Sequence, residues 1–234
     1  MTNFTERQTH DDPEFTRLFD RFAFEETAGT CSLDGKTRFL AILAALIGCQ
    51  GMDEYRVILP MALERDVTPV EAKEVVYQAT AYLGIGRVFP FLTATNEILS
   101  AKGVSLPLPP QGTTSPENRR ERGTAVQVEI FGPHMEDFWK AGDMNRFLAA
   151  NCFGDYYTRT GLSLKQRELV TFCYIAAQGG CESQLNSHAA ANLRMGNDRE
   201  FLAQVVLHLV PYLGYPRSLN AMTAVNQAAN QQAK

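Results

Sequence analysis

The segment from Cys181 to His188, Cys-Glu-Ser-Gln-Leu-Asn-Ser-His, gathers side chains that could do chemistry. On a helix, Cys181, Gln184 and His188 lie at positions i, i+3 and i+7 and therefore share one face. An imidazole titrates near neutral pH and suits proton transfer, while a thiol near a helix N-terminus can ionise to a nucleophile. We predict His188 and Cys181 as catalytic residues and Gln184 as a substrate contact.

Each of these residues also has a purely structural interpretation. His188 could be a packed histidine whose ring is satisfied by Gln184 or Asn192. Cys181 could be a small buried apolar residue, because free cysteine often behaves as one. Both alternatives stay open at the level of the sequence.

Composition argues against several classes of protein. The net charge of −4 and the hydrophobic fraction of 45% are typical of a soluble globular chain without a basic surface for nucleic acid. The longest apolar run, Phe39 to Cys49, is too short to span a membrane, and the polar N-terminus predicts a cytoplasmic protein. The scattered cysteines form no Cys-x-x-Cys pair and no phosphate-binding glycine loop occurs, so neither a metal nor an organic cofactor is expected.

The elements that must position these side chains occur twice. The segment Tyr82–Arg87, Tyr-Leu-Gly-Ile-Gly-Arg, returns as Tyr-Leu-Gly-Tyr-Pro-Arg at Tyr212–Arg217, 130 residues later. Upstream, Leu33–Arg38 matches Leu162–Arg167 at an offset of 129, so one residue is inserted between the blocks in the second copy. Agreement in register at so many positions predicts a tandem duplication.

Each copy is predicted to consist of helices. Thr68 and Glu71 form a capping box at one helix start, Asn197 is the expected cap of its counterpart, and Gly84 and Gly214 end the two helices. Little alternating apolar pattern favours strands, so we predict an all-α fold. The proline-rich stretch 100–124 is the expected linker between a first unit at 1–99 and a second at 125–234.

With the repeat laid out, the chain resembles the carboxymuconolactone decarboxylase family, which is related to the AhpD-like alkylhydroperoxidases. The resemblance rests on Phe153–Leu162, on the helix starts at Lys165 and Lys36, and on the Tyr-Leu-Gly ends. It implies a tandem duplicated AhpD-like helical unit. Single-unit decarboxylases of this family resemble one another in forming hexamers, so the resemblance implies a homotrimer with six units in a ring for a two-unit chain. It also implies a small-molecule substrate.

The departures from the family pattern bear on the chemistry. Peroxidase-type relatives carry Cys-x-x-Cys-x-x-x-His with a glutamate on the preceding helix, which match Cys181, His188 and Glu168. Gln184 replaces the second cysteine, so the usual disulfide cycle cannot close. Decarboxylase-type relatives carry a glutamate one turn before the histidine, where Gln184 stands again.

The first copy departs further from the pattern. It has Glu54 one turn before its histidine position but Ile58 at the histidine position itself, and Phe39 replaces Glu168. We therefore predict that the first unit is a structural partner and that the second unit holds the active site.

Three residues complete the predicted site. Glu168 could orient His188 or act as a second acid/base group, and Arg167 could hold a substrate carboxylate in a bidentate fork. A solvated face or a salt bridge between units is the structural alternative for both. Tyr156 could line an apolar pocket for a ring-shaped substrate, although packing is the simpler interpretation.

The leading hypothesis is a cofactor-independent decarboxylase-like enzyme that acts on a small carboxylated lactone or a related enolisable acid by general acid/base catalysis. His188 would move the proton in this scheme. One alternative is a thiol-dependent peroxidase or reductase that uses Cys181. The other is a non-catalytic, ring-forming binding protein with a degenerate site.

Overall fold

The computed structural model describes Phe4 and residues 6–232, and throughout these residues it contains helices and no strand. The predicted all-α fold is therefore confirmed. Within the described residues, no helix is both long and apolar enough to cross a membrane.

The first repeat is built from seven α-helices, with a π-helical segment at Arg21–Thr27 between the second and third. Their bounds are α1 Glu6–Asp11, α2 Pro13–Asp20, α3 Ala28–Thr30, α4 Gly35–Cys49, α5 Met52–Leu63, α6 Pro69–Leu83 and α7 Ile85–Ala101.

The second repeat follows α8, Arg119–Phe131, and two short 3₁₀ turns at Pro133–Met135 and Phe138–Ala141. A π-helical segment, Leu148–Tyr157, again precedes the main helices. The α-helices are α9 Asp143–Phe147, α10 Leu164–Gln178, α11 Glu182–Arg194, α12 Arg199–Leu213 and α13 Tyr215–Gln232.

The duplication predicted from sequence is visible element by element. Helices α4 and α10 match at an offset of 129, and α6 and α12 match at 130. The inserted residue lies between α10 and α11, where Gly179 and Gly180 both adopt positive φ angles. Two such residues in a row need the left-handed backbone that glycine adopts at little cost. The extra residue therefore lies in the turn that leads into the helix of His188.

The core runs through both repeats without interruption. Helix α4 is buried from Phe39 to Gly48 and α10 from Arg167 to Ala177, so both are covered on all sides. The two helices pack against each other, and their apolar side chains belong to one cluster that also includes residues of α6 and α12. Each repeat therefore supplies part of the other's packing.

The predicted helix ends are confirmed in part. Thr68 and Glu71 form the expected capping box, and Gly84 and Gly214 follow the ends of α6 and α12. The prediction that Asn197 caps α12 is wrong, because the side chain of Asp198 accepts the backbone N–H of Phe201. Asn197 instead donates to the backbone oxygen of Lys165 and to Asn192 Oδ1, which ties the start of α12 to α10 and α11.

The stretch between the repeats contains no helix from 102 to 118, while α8 begins inside the predicted linker at Arg119. The linker is not free of the second repeat, because the backbone oxygen of Gln111 accepts the N–H of Thr160. The division into units at 1–99 and 125–234 stays a prediction.

Candidate active site

His188 and Glu168 form a buried pair between α11 and α10. The Nδ1 atom of His188 lies 2.8 Å from Oε2 of Glu168, and the exposed fractions of the two side chains are 8% and 0%. Asn192 locks the helices in this register, since its Nδ2 donates to the backbone oxygens of both His188 and Glu168 at 2.8 Å. The structural alternative left open by the sequence was a ring hydrogen-bonded by Gln184 or Asn192. The ring is instead bonded to Glu168.

Tyr157 occupies the other oxygen of the carboxylate. Its hydroxyl donates to Glu168 Oε1 at 2.8 Å and also lies 2.7 Å from Thr171 Oγ1 and 2.8 Å from the hydroxyl of Tyr82. A phenol has only one hydrogen, so the hydroxyls of Thr171 and Tyr82 must both donate to Tyr157. The chain of hydrogen-bond donors therefore ends at the Glu168 carboxylate, which contacts the His188 imidazole.

The tyrosines are held in their neutral form. Burial, and then the charge of Glu168, raise the pKa of Tyr157 well above its ordinary value. Burial, with Cys152 and Glu168 as further causes, does the same to the pKa of Tyr82. Both phenols therefore remain donors through the physiological pH range.

The first repeat completes this network. Tyr82 lies on α6, and so does Gln78, whose Nε2 donates to Thr171 Oγ1 at 2.8 Å and to the backbone oxygen of Arg167 at 2.9 Å. The donor chain therefore runs from Gln78 of one repeat to the Glu168–His188 pair of the other. The pair is incomplete without the helix of the neighbouring repeat.

Two aromatic rings form walls on either side of the imidazole. Tyr82 and Phe131 meet it edge to face, at centroid distances of 5.4 and 5.5 Å. Phe131 ends α8, which packs tightly along the second π-helical segment because Gly123 lies against the backbone of Ala149 and Gly154, and Gly154 lies against the backbone of Arg119. A Cβ at Gly123 would lie 1.9 Å from the oxygen of Ala149. The glycines thus allow α8 to bring Phe131 over His188.

The Nε2 atom of His188 is the open position of the site. It makes no hydrogen bond within the residues that the structure describes, and part of the side chain remains accessible. A cavity of about 230 Å³ adjoins this region and is lined by Phe131, by Ser187 and Ala191 on either side of His188 in the chain, and by Arg194. The exposed guanidinium of Arg194 therefore lines a cavity that is connected to the imidazole through Phe131, whose ring packs on His188.

Arg167 has no surface left for a ligand. It is 0% exposed, its Nη2 lies 3.0 Å from Oε2 of Glu74, and its Nη1 donates to Gln78 Oε1 at 2.8 Å. Glu74 also pairs with Arg159, so one carboxylate of the first repeat holds two cations of the second. This geometry corresponds to the interunit salt bridge that the sequence left open, and not to a substrate fork.

The remaining predicted residues lie at the edges of the site. Cys181 is half-buried at the start of α11, and Gln178 Nε2 lies 3.0 Å from its sulfur. Gln184 is exposed, and within the described residues the imidazole bonds to Glu168 and not to Gln184. Tyr156 is half-buried, and burial raises the pKa of its hydroxyl.

Sequence reasoning missed the roles of Tyr157, Tyr82, Gln78 and Phe131, which bond to the Glu168–His188 pair, extend its chain of donors or pack on the imidazole. The internal repeat could have flagged Gln78, because its counterpart is a histidine and such a difference marks a change of environment. Within the described residues, no group of three or more histidine, cysteine or acidic side chains could hold a metal ion.

Comparison with known proteins agrees with this architecture. The sequence profile of the carboxymuconolactone decarboxylase family matches residues 13–97 and again residues 142–227, more than half of the chain. The chain belongs to this family. A 4-carboxymuconolactone decarboxylase from Acinetobacter baylyi is 30% identical over 114 residues, which are 45% of this chain and 83% of that protein.

A solved structure extends the match to nearly the whole chain. It is a protein of Burkholderia xenovorans LB400 assigned as a gamma-carboxymuconolactone decarboxylase subunit, with a TM-score of 0.58 and 22% identity. The match covers 97% of this chain and 90% of that one. At this identity the likeness shows a shared fold.

Proposed function

We propose that the protein is a cofactor-independent, carboxymuconolactone decarboxylase-like enzyme that acts on a small carboxylated lactone or a related enolisable acid. The single observation that carries the proposal is the buried Glu168–His188 pair with its open Nε2 atom. The family membership and the identity with a 4-carboxymuconolactone decarboxylase support the same reaction class.

His188 is the proposed proton donor. Loss of CO₂ from the substrate carboxylate leaves the electron pair of the broken C–C bond in a conjugated enolate. The Nε2–H group of the imidazolium then protonates that carbanion carbon, and the neutral ring regains its proton from water. One C–C bond is broken, one C–H bond is formed, and no electron acceptor is required.

Glu168 is the proposed positioning residue. Its carboxylate accepts Nδ1–H and so directs Nε2 toward the substrate, as carboxylates that orient catalytic histidines do. A buried carboxylate also needs compensating donors or charge, which Tyr157 and His188 supply. The carboxylate therefore fixes the ring orientation that the proposed proton transfer needs.

Arg194 is the proposed anchor for the anionic end of the substrate. It lines the cavity beside Phe131 and makes no ion pair within the described part of the chain. A guanidinium can bind a carboxylate through two parallel hydrogen bonds. This assignment replaces Arg167, which is fully buried and whose Nη1 and Nη2 atoms are bonded to Gln78 and Glu74.

The test is to incubate purified protein with 4-carboxymuconolactone and to follow loss of the lactone. We expect turnover, a loss of about 10²–10⁴-fold in kcat for His188→Gln, and a raised KM for Arg194→Gln with a smaller change in kcat. Absence of turnover with a panel of carboxylated lactones and β-keto acids, or full activity of His188→Gln, would reject the proposal.

Cys181 supports a second candidate function, a thiol-dependent reduction of peroxides with an external thiol. The supporting observation is the Gln178 amide at 3.0 Å from the sulfur, at the start of α11. Titration with hydrogen peroxide followed by mass mapping tests it. Selective oxidation of Cys181 supports this function, and equal oxidation of the half-buried Cys49 contradicts it.

The assembly implied by the family is a homotrimer with six units in a ring. Light scattering during size-exclusion chromatography measures its mass directly. A mass of three chains supports the assembly, and a monomer or dimer contradicts it.

A further inference from the structure

The first repeat contains a cavity of about 560 Å³ between α2, the first π-helical segment, α4, α5 and α12. Apolar side chains form much of its wall. They are Phe24, Leu33, Phe39, Ile42, Ile58 and Met61.

The repeat explains where this cavity lies. At the offsets of 129 and 130, Phe39 corresponds to Glu168, Ile42 to Thr171, and Ile58 to His188. The cavity is therefore the first repeat's version of the Glu168–His188 site, with apolar side chains in place of the acid and the imidazole. Walls of this kind suit an apolar ring.

His208 is the polar feature that points to a ligand. It is 5% exposed, it lines the cavity, and neither ring nitrogen has a hydrogen-bond partner in the described structure. Oδ1 of Asp20, also in the wall, is buried without a partner. Buried polar atoms are almost always satisfied, since each one left unpaired costs about 1–3 kcal/mol. Two such groups in one cavity indicate a missing hydrogen-bonding partner.

The charges around the cavity select against an anion. Asp20, Glu25 and Asp66 line it together with Arg38 and Arg65. Arg38 already donates to the backbone oxygens of Leu33 and Ala28, and acidic side chains outnumber basic ones. An added carboxylate would meet a wall of net negative charge.

The protonation state of His208 further limits the chemical class of the ligand. Burial, with the nearby charge of Arg38 as a second cause, lowers the pKa of His208 to about 4. Its ring is therefore neutral near pH 7 and offers one N–H donor and one acceptor nitrogen. A hydroxyl group can accept the N–H of His208 and donate its own hydrogen to Oδ1 of Asp20, which neither an ether nor a carboxylate can do.

We propose that the cavity of the first repeat is a second binding site, which takes a small neutral phenol or cyclic alcohol. The ring lies against Phe39, Ile42 and Ile58, and the hydroxyl oxygen accepts the N–H of His208 while its hydrogen is donated to Oδ1 of Asp20. The site involves binding without chemistry, because no acid/base pair remains there. It is independent of the reaction proposed at His188.

Phenol is the probe, with toluene as the matched ring without a hydroxyl and benzoate as the anion. Titration calorimetry with the full chain should give a saturable phenol isotherm with a Kd of about 1 mM or lower. Toluene and benzoate should each bind about tenfold more weakly, the loss expected for one hydrogen bond to a buried group. Equal affinity for phenol and toluene would show that the hydroxyl makes no hydrogen bond in the cavity, and absence of phenol binding would show that the cavity takes no such ligand. Either result overturns the proposal.

Variants locate the binding. His208→Leu should remove the preference for phenol over toluene, whereas His188→Ala should leave phenol affinity unchanged. Retained preference in the first variant, or lost binding in the second, overturns the assignment. Since a variant can fail to fold, the methyl resonances of Ile42 and Ile58 in the wild-type chain provide a direct measurement. They should shift on addition of phenol, and unshifted methyls contradict the proposal.

Discussion

The two repeats place the same helices around two different sites. In the second repeat, Glu168 and His188 meet at 2.8 Å inside a fully connected polar network. In the first repeat, the same positions carry Phe39 and Ile58, which line an open cavity. The difference shows that the shared helices define the position of a site, while the side chains at two positions decide whether that site holds a carboxylate–imidazole pair.

The arginines show the same divergence. Arg167 is fully buried and pairs with Glu74 of the other repeat. In the first repeat, Gln204 stands at the position of Glu74, and the counterpart Arg38 donates to backbone oxygens instead. The cross-repeat ion pair is therefore made once, on the side that carries the acid/base pair.

The largest expected effect comes from making the second site resemble the first. Glu168→Gln keeps the shape of the side chain but removes the charge that orients His188, so activity on the lactone should fall about 10²–10⁴-fold. Phe39→Leu, at the equivalent position of the first repeat, is the matched control and should keep full activity. Equal losses in both variants would remove the distinction between the two sites.

The next effect is on stability. Glu74→Gln leaves the buried Arg167 without its carboxylate, which should lower the free energy of unfolding by about 3 kcal/mol. Urea denaturation followed by circular dichroism measures this change. Gln204→Glu at the matched position should cost less, because Arg38 is only half-buried. A larger loss in Gln204→Glu would mean that the ion pair does not distinguish the repeats.

His208 predicts a pH dependence that belongs to the first repeat. Its folded pKa of about 4 lies below the ordinary value of 6.5, so the unfolded chain binds more protons between these pH values. The contribution to stability is complete above pH 6.5 and is lost as pH falls through 4, by about 3 kcal/mol in all.

His208→Gln should flatten the stability curve between pH 6.5 and 4, and denaturant unfolding across this range measures the difference from wild type. His134→Gln, at an exposed histidine, is the control and should leave the curve unchanged. If both variants follow the wild-type curve, His208 is not buried in its neutral form.

Much of the fold could be predicted from the sequence because its signals are local or repeated. Thr68 with Glu71, the glycines after α6 and α12, and the constant offset each act within one helix or between two copies. Asn197 shows the limit. Either it or Asp198 could cap α12 by local rules, and tertiary hydrogen bonds to α10 and α11 decide the choice.

The site could be predicted only as far as one stripe of α11 and one acidic residue of α10. His188 and Glu168 stand out by residue type, but Gln78 and Tyr82 contribute from the other repeat, 90 and 86 residues before Glu168. Their roles depend on how α6 packs on α10, which no spacing rule specifies. The burial of Arg167 could not be predicted for the same reason, because its partner Glu74 belongs to the other repeat.

The smallest expected effect tests whether that cross-repeat contribution matters. Tyr82→Phe removes one of the two hydroxyls that donate to Tyr157, which leaves the Tyr157–Glu168 bond in place but less polarised. We expect about a tenfold loss in kcat with KM unchanged, the size of one buried hydrogen bond. Tyr212→Phe, the counterpart that lines the cavity of the first repeat, should leave kcat unchanged. An equal loss from both would mean that the tyrosines act through helix packing, whereas a loss confined to Tyr82→Phe shows that the first repeat assists the second by hydrogen bonding.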